Sequence, residues 1–473
     1  MRLQPRIAWR IAVEEWRLMV RNRVALAGGL LTAALLSTAA WVSHEQREEL
    51  SSTRARYQAL VDAQFDAQPD RHPHRMVHYG QFVFRPLPAL AFFDPGVDPF
   101  TGNMLFVEGH RQNSTVFAEA RQSSLLLRFG QLTPAFVLQT LVPLLLVFLG
   151  FASVARERER GNLRLMLAQG LAPASLLLGK WLALAGVAAL VALPAALALG
   201  ASAIAGAAPA SAAAGLALLH GLYLAVWASL AVLLSSWARS SRDALLLLVG
   251  LWIAGVVMVP RAAPVLAQAA HPLPTRMEMD IAVHRDALAI GDSHDPDDPY
   301  FADFRRRVLE RYGVSRIEDL PVNYAGLVSA EGERLTSEIY DRHAARGFAV
   351  ERAQSGLVAR FAWLSPVIAL RQASMALAGT DLSGYQRFLV EAERYRYALI
   401  QALNGMHAEK VGYEGDKDQR ISHEHWETLP EFRPSPSVQG DPSRGAFAAS
   451  VLAAWCLVLA GLLAWRGRRL GAA

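Results

Sequence analysis

Apolar residues in this chain gather into six nearly uninterrupted runs: Val24 to Val42, Thr133 to Val154, Trp181 to Gly200, Gly215 to Leu234, Ala244 to Pro260 and Ala446 to Trp465. Each is rich in Leu, Ala, Val and Gly, nearly free of charge, and close to the roughly twenty residues that cross a bilayer as a helix. In hydrocarbon a segment must satisfy its own backbone hydrogen bonds, so the runs read as helices even where Pro143 or Pro194 interrupts the pattern. The expected spans are therefore 24–42, 133–154, 181–200, 215–234, 244–260 and 446–465. The first is read as a retained anchor, because it follows a long Arg-rich stretch and no small-residue cleavage site precedes the charges at His44.

Between the runs the chain changes character. In residues 1–23, Arg2, Arg6, Arg10, Arg17 and Arg21 fall within about a third of a helical circumference, with Trp9 and Trp16 on another face. That is the pattern of an amphipathic helix lying in the membrane interface. Residues 43–132 and 261–445 are long and water-compatible. The first opens with a charged continuation of the first span, Glu45 to Gln64. It then gives strand patterns at Tyr79 to Phe84 and Asn103 to Val107, around the turn-rich Asp94-Pro95-Gly96-Val97-Asp98-Pro99, and returns helically over Ser114 to Arg128. The second has helical spacing in Met277 to Ile290, Tyr300 to Tyr312, Tyr324 to Trp363 and Gly384 to Val411. Leu364 to Arg371 is apolar but too short to span, which predicts a helix lying at the outer interface, and Gly412 to Arg444 reads as loop. Neither long segment offers a self-contained core, so the two are expected to fold together. The expected fold class is an all-α polytopic membrane protein with six transmembrane helices and a mainly helical extracytoplasmic domain containing a minor β element.

Charge sets the orientation. Arg2, Arg6, Arg10, Arg17, Arg21 and Arg23, then Arg156, Arg158, Arg160, Arg164 and Lys180, then Arg239 and Arg242 in the short loop 235–243, and Arg466, Arg468 and Arg469 in the tail 466–473 all fall on one side of six crossings. Only Glu14, Glu15, Glu157, Glu159 and Asp243 oppose them there. The positive-inside rule places that side, with both termini, in the cytoplasm. The net charge of +5 is thereby explained at the membrane borders, and nucleic acid is not an expected partner. A single cysteine, Cys456, lies inside the last run, so the outer domain must hold by packing without a disulfide.

The most specific local pattern is the inward segment 155–180. Glu157-Arg158-Glu159-Arg160-Gly161-Asn162-Leu163-Arg164-Leu165-Met166-Leu167-Ala168-Gln169-Gly170 leads through Pro173 to Leu178 into Gly179-Lys180-Trp181-Leu182-Ala183. It reads as a charged helix end, a glycine break, a short amphipathic helix and a second break before the next span. A helix held parallel to the membrane by two corners can pass a push from a soluble partner into two spans at once.

At these residues the chain resembles the permease subunits of ABC-2 type ATP-binding-cassette transporters, in which a Glu-Arg-Glu-x-Gly-Thr-Leu segment precedes the coupling helix and a Gly-Lys pair opens the third span. Asn162 stands where that family usually has Thr. A narrower resemblance, to the bacterial subgroup with two large extracytoplasmic insertions of the DUF3526 kind, rests on Tyr79-Gly80, Phe92-Phe93-Asp94-Pro95-Gly96, His110-Arg111-Gln112-Asn113, Arg128-Phe129-Gly130, Ser365-Pro366 and Ala378-Gly379-Thr380-Asp381. The resemblance implies a non-catalytic subunit. Glu157, Glu159, Gly161, Leu163, Gly170 and Lys180 would couple it to a separate nucleotide-binding ATPase subunit that binds the ATP and Mg. A second permease, itself or a paralogue, would complete the assembly among the membrane lipids. The sequence agrees by omission, since no Gly-x-x-x-x-Gly-Lys-Ser/Thr phosphate loop is present and the Gly170 to Lys180 stretch has the wrong spacing.

Other chemistry has less support. No Gly-x-Ser-x-Gly elbow occurs, the spans lack Asp, Glu and Lys in their central turns, and His220 is expected as an interface residue near the headgroups. His72, His74 and His78, with His110, His423 and His425, lie in the outer segments and are candidates for a metal site. Sequence does not bring them together, and ordinary surface or packing roles are the default expectation. The leading expectation is ATP-driven export of a hydrophobic, lipid-like or peptide substrate, because charge-free spans do not suit a small ion. The alternative is mechanical work on a periplasmic partner without transmembrane cargo, as in metalloprotein maturation or envelope signalling. A membrane-anchored enzyme is the residual class.

Overall fold

The computed structural model describes residues 3–116, 131–291, 295, 298–435 and 442–471. A first helix, α1 (Pro5–Arg21), stops at Asn22, whose backbone is extended and whose side chain accepts the N–H groups of Val24 and Ala25, so the chain turns a corner and starts α2 (Arg23–Asp66) at once. At 1.5 Å per residue the 44 residues of α2 reach about 66 Å, far more than a bilayer core needs. Its N-terminal half is apolar and its C-terminal half, from His44, is charged. Then follow α3 (Pro73–Tyr79), the antiparallel strands β1 (Gln81–Phe84) and β2 (Met104–Val107), α4 (Pro134–Glu159), α5 (Asn162–Ala168), α6 (Pro173–Ile204), α7 (Ala210–Trp237), α8 (Ser241–Ala270), α9 (Arg276–Leu288), α10 (Pro299–Tyr312), α11 (Tyr324–Arg360), α12 (Pro366–Ala378), α13 (Leu382–Lys410) and α14 (Pro442–Arg469).

Among the described residues six helices are long and apolar enough to cross a membrane: α2, α4, α6, α7, α8 and α14. The most apolar window of α7 is 67% buried and that of α2 only 17%, so α7 is the axis of the bundle and α2 lies on its rim. Small residues permit the closest approaches: a Cβ on Gly150 would fall 2.7 Å from Ala231 of α7. Both α4 and α8 contain a wider π turn, at Val137–Leu141 and Ile253–Met258. The Trp252 indole donates to the Thr140 carbonyl at 3.1 Å and the Ser365 hydroxyl to that of Gly255 at 2.5 Å, so carbonyls in both turns gain partners in a region without water.

Beyond one end of the bundle the two long segments share one core. Phe65, Met76, Val77, Val83, Leu105 and Val107 from the first pack with Phe388, Tyr395, Leu399, Leu403, Trp426 and Phe432 from the second. In the stretch expected as loop after Gly412, the described residues up to 435 form only short 3-10 turns, yet they close this core: Ile421 pairs with Arg71, and the Trp426 indole donates to the Pro69 carbonyl at 3.3 Å. One expectation falls mostly outside the described residues and another is corrected. Of the helix anticipated from Ser114 to Arg128, only Ser114 to Val116 lie among the described residues. They are extended, the Val116 N–H donating to the Met104 carbonyl at 2.9 Å as an addition to the strand pair. Helix α12, expected at the outer interface, is buried instead, with Val367, Ile368, Ala369, Leu370 and Ala373 inside the same cluster as the spans. Its polar side chains turn inward too, Arg371 to Gln139 and Ser374 to Asp94, so lying flat would have left both its apolar and its polar partners unmet.

Candidate coupling site and its relation to known families

At the arginine-rich end of the bundle α4 ends at Glu159, Gly161 turns the chain with φ of 75°, α5 runs seven residues, and Gly170 turns it again with φ of 86°. Nothing lies within 4 Å of where a Cβ on Gly161 would sit, so the glycine is required by the left-handed backbone and not by crowding. Leu163 is buried in the bundle core with Met166 and Leu167 half-buried against it, while Leu165 is 63% exposed, so α5 is held by one face and offers the other outward.

Lys180 organises the surroundings. It is 5% exposed, and its Nζ lies 2.6 Å from Glu15 Oε1 of α1 and 3.4 Å from Glu157 Oε1 of α4. The other Glu157 oxygen accepts the Asn162 amide at 3.2 Å, so the residue standing where the resemblance expects Thr ties α5 to the same carboxylate. Glu159 accepts the Ser241 N–H at 2.8 Å and hydroxyl at 2.6 Å, at the start of α8. Both glutamates stand between arginines in the sequence, yet these bonds run to Lys180, Asn162 and Ser241. Arg158 points into the bundle and donates to the Ser236 carbonyl at 2.7 Å, which leaves the two carboxylates for Lys180 and Ser241. One cation and three carboxylates, Glu15, Glu157 and Glu159, therefore link α1, α4, α5, α6 and α8.

Helix α1 was expected flat in the interface. It packs on α6: the Trp16 indole donates to the Ala183 carbonyl at 2.8 Å, and a Cβ on Gly186 would fall 2.4 Å from the Trp16 ring. The Gln4 N–H donates to the Ser175 hydroxyl at 2.8 Å, closing the second end of that contact. Gly179 allows the backbone contact between them, since a Cβ there would meet the Ala8 carbonyl at 2.7 Å.

At the domain end the bundle is less apolar than its sequence suggests. The Arg371 Nε of α12 donates to Gln139 Oε1 at 3.1 Å, Tyr223 donates to the Gln139 carbonyl at 2.8 Å, and the Gln139 amide nitrogen lies 3.5 Å from His220 Nε2. His220 is therefore buried among helices, not set at the headgroups, because Gln139 and the Leu216 carbonyl satisfy its ring. Asp94 accepts the Ser374 hydroxyl at 2.5 Å beside this cluster, and burial pushes its carboxyl above the ordinary 3.8. Arg371 was missed as a contributor because it arrives on α12, from a different part of the chain.

Residues 120–275 match the family described as ABC-2 family transporter protein, and residues 276–435 match the domain of unknown function DUF3526. The chain is an ABC-2 permease with a DUF3526 domain. No curated protein matches it. The family is typically a non-catalytic membrane subunit, and membership implies an ATP-binding-cassette ATPase partner and, typically, a dimeric arrangement. The two matches do not coincide with the two physical bodies of the permease. The DUF3526 stretch contains α12, which is buried in the bundle, while the domain core takes Phe65 to Val107 from outside both matches.

The domain of this permease gathers histidines that the sequence scatters. His72 caps α3, its Nδ1 accepting the His74 N–H at 3.1 Å, and its ring stands edge-on to His407 at 4.5 Å. His407 Nε2 lies 2.7 Å from Asp416 Oδ1, which also accepts the Asn323 amide at 2.7 Å. His74 and His78 face one another, with His110 beside them. His423 pairs with Asp70 in a separate place. His407 was overlooked because it lies far along the chain from His72, on the last turn of a helix whose other signals are those of a packing element.

Proposed function

We propose that this permease couples ATP hydrolysis by a separate nucleotide-binding subunit to export of a hydrophobic, lipid-like or peptide substrate across a bacterial inner membrane. In this reading the arginine-rich end and both termini are cytoplasmic and the DUF3526 domain lies outside. The observation that carries it is the Lys180 junction. A force on the exposed face of α5 reaches α6 through Lys180, α8 through Glu159 and the interfacial α1 through Glu15, so one docking helix addresses several spans together. ATP and Mg would be held by the partner. The second permease would meet the poorly buried rim. Gly28 of α2 already packs on Leu145 inside the chain, whereas nothing lies within 4 Å of a Cβ on Gly29, which leaves that side open to another helix. The experiment is Gly161→Val in the complex reconstituted with its ATPase. Hydrolysis should persist while transport stops, and unimpaired coupling would defeat the assignment.

One observation favours the alternative of mechanical transmission to a periplasmic partner. Helix α2 runs unbroken from the α1 corner into the domain, where Arg54 donates to the Arg85 carbonyl at 3.1 Å and the Gln58 side chain accepts the Phe84 N–H at 2.9 Å. Movement of α1 would thereby reach the strand pair through a rigid helix. A break by two glycines in the charged half of α2 separates the readings: transport of a lipid-like cargo should survive it, and transmission should not.

A further inference from the structure

We propose that the outer domain binds a divalent transition-metal ion of the imidazole-preferring class, Zn2+ or a neighbour, through His74, His78 and His110, with the fourth position open to solvent. The orientation follows the reading above, but the site itself does not depend on it. His74 and His78 are four residues apart on α3 and so project from one face of the helix. Their Nε2 atoms are 3.2 Å apart, close to the roughly 3.3 Å that separates two nitrogens bound tetrahedrally at 2.0–2.1 Å from one zinc. One ligand atom of each of the three histidines lies within 4.8 Å of the others, so small side-chain rotations would complete the set.

The third ligand is held by deliberate backbone geometry. His110 is the one non-glycine among the described residues with a positive φ, 68°, a conformation that costs energy outside glycine and persists where the surroundings impose it. Two contacts impose it. Gly109 lies so close to α3 that a Cβ would fall 2.2 Å from Val77 Cγ1, and its N–H donates to the Val77 carbonyl at 3.0 Å. The His110 N–H donates at 2.9 Å to Oε2 of Glu333, a fully buried carboxylate whose other oxygen lies 2.5 Å from Arg396. The same Glu333 Oε2 stands 3.8 Å from the His110 Nδ1, where it can orient the ring as carboxylates do behind metal-bound histidines.

Among the described residues, Nδ1 of His74 is buried without a hydrogen-bond partner, and its Nε2 faces that of His78. Burial, then the neighbouring imidazoles, pulls His74 down to about 4, so its ring is neutral at neutral pH. His78 is exposed and His74 and His110 are half-buried, which gives an ion a way in and leaves room for water or an exchanging ligand. All-nitrogen donors favour zinc, copper or nickel over calcium or magnesium. In the nearby trio Asp416 pairs with His407 at 2.7 Å and accepts from Asn323, with His72 Nε2 3.5 Å away, and these residues do not form part of the proposed ligand set.

The test uses the full-length permease without a polyhistidine tag, stripped with a chelator, in lipid nanodiscs. Co2+ is added first, for its tetrahedral visible absorption, and Zn2+ is then titrated in competition. The expected result is one bound ion per chain, with His78→Ala and His110→Ala each weakening binding at least about tenfold. His423→Ala, in the separate Asp70 pair, should change nothing. His78→Cys should restore binding and add a thiolate-to-cobalt charge-transfer band, which a merely structural role for His78 would not produce. Equal metal binding by the wild-type chain and the His78→Ala/His110→Ala double variant would overturn the proposal, as would absence of any bound ion in a wild-type chain that retains its metal-free melting temperature.

Discussion

Two buried cations, Lys180 at the arginine-rich end and Arg396 in the outer domain, solve the same electrostatic problem in different ways. Arg396 is 2% exposed and meets Glu333, which is fully buried, and Glu393 on its own helix, with Ser337 and the Glu108 carbonyl filling the remaining donors. Lys180 is 5% exposed, but its partners Glu15 and Glu157 are 19% and 24% exposed and belong to α1 and α4. A guanidinium with several fixed acceptors locks a core, whereas an ammonium on a flexible stem between two wetter carboxylates joins elements that can move. The domain is built to be rigid and the coupling end to be linked.

The sharpest way to break that comparison is to remove each cation. Arg396→Met strands Glu333 as an unpaired buried carboxylate and should cost about 3–5 kcal/mol, read as a drop in the denaturation midpoint of the purified permease. Lys180→Met should cost less, about 1–3 kcal/mol, because Glu15 and Glu157 can rehydrate. Its distinctive effect should be faster amide exchange in Pro5–Arg21 with the domain helices unchanged, and a uniform loss of protection would erase the distinction between the two ends. Gly161→Ala sharpens the picture further. With no atom near the added Cβ, only the left-handed backbone is penalised, by about 1–2 kcal/mol, and thermal melting should show a small shift where coupling assays show a large one.

The smallest effect concerns acid. Hydrogen bonds from Arg334 hold Glu331 below the ordinary 4.5 against the opposing effect of burial, and Tyr300 adds a third donor. A carboxylate depressed on folding contributes stability that is fully present above its unfolded value and is lost as pH falls through 4.5 and below. Glu331→Gln should therefore flatten the stability profile of the α10–α11 contact in that window, lowering stability at neutral pH and converging with the unsubstituted protein in acid. An equal slope in both proteins would show that the pair contributes nothing.

The six spans, the short strand pair and the glycine-bounded α5 were legible in the sequence because each is encoded locally, in runs of apolar residues, alternation or backbone-permissive glycines. Family resemblance was legible at the same residues for the same reason. The burial of α12 was not, because a short apolar helix has the same composition on a surface and in a core, and only neighbours decide between them. Nor were the partners of Glu157 and Glu159, since charge near charge in sequence predicts an ion pair that the direction of Arg158 removes. The histidines show the division most clearly. Their spacing on α3 is written in the sequence, while His110 reaches them only through Gly109, Val77 and Glu333, and His407 only through the packing of α13. Short-range order follows from the chemistry of consecutive residues, but long-range proximity is a property of the shared core that brings distant segments together, and it exists only once that core has formed.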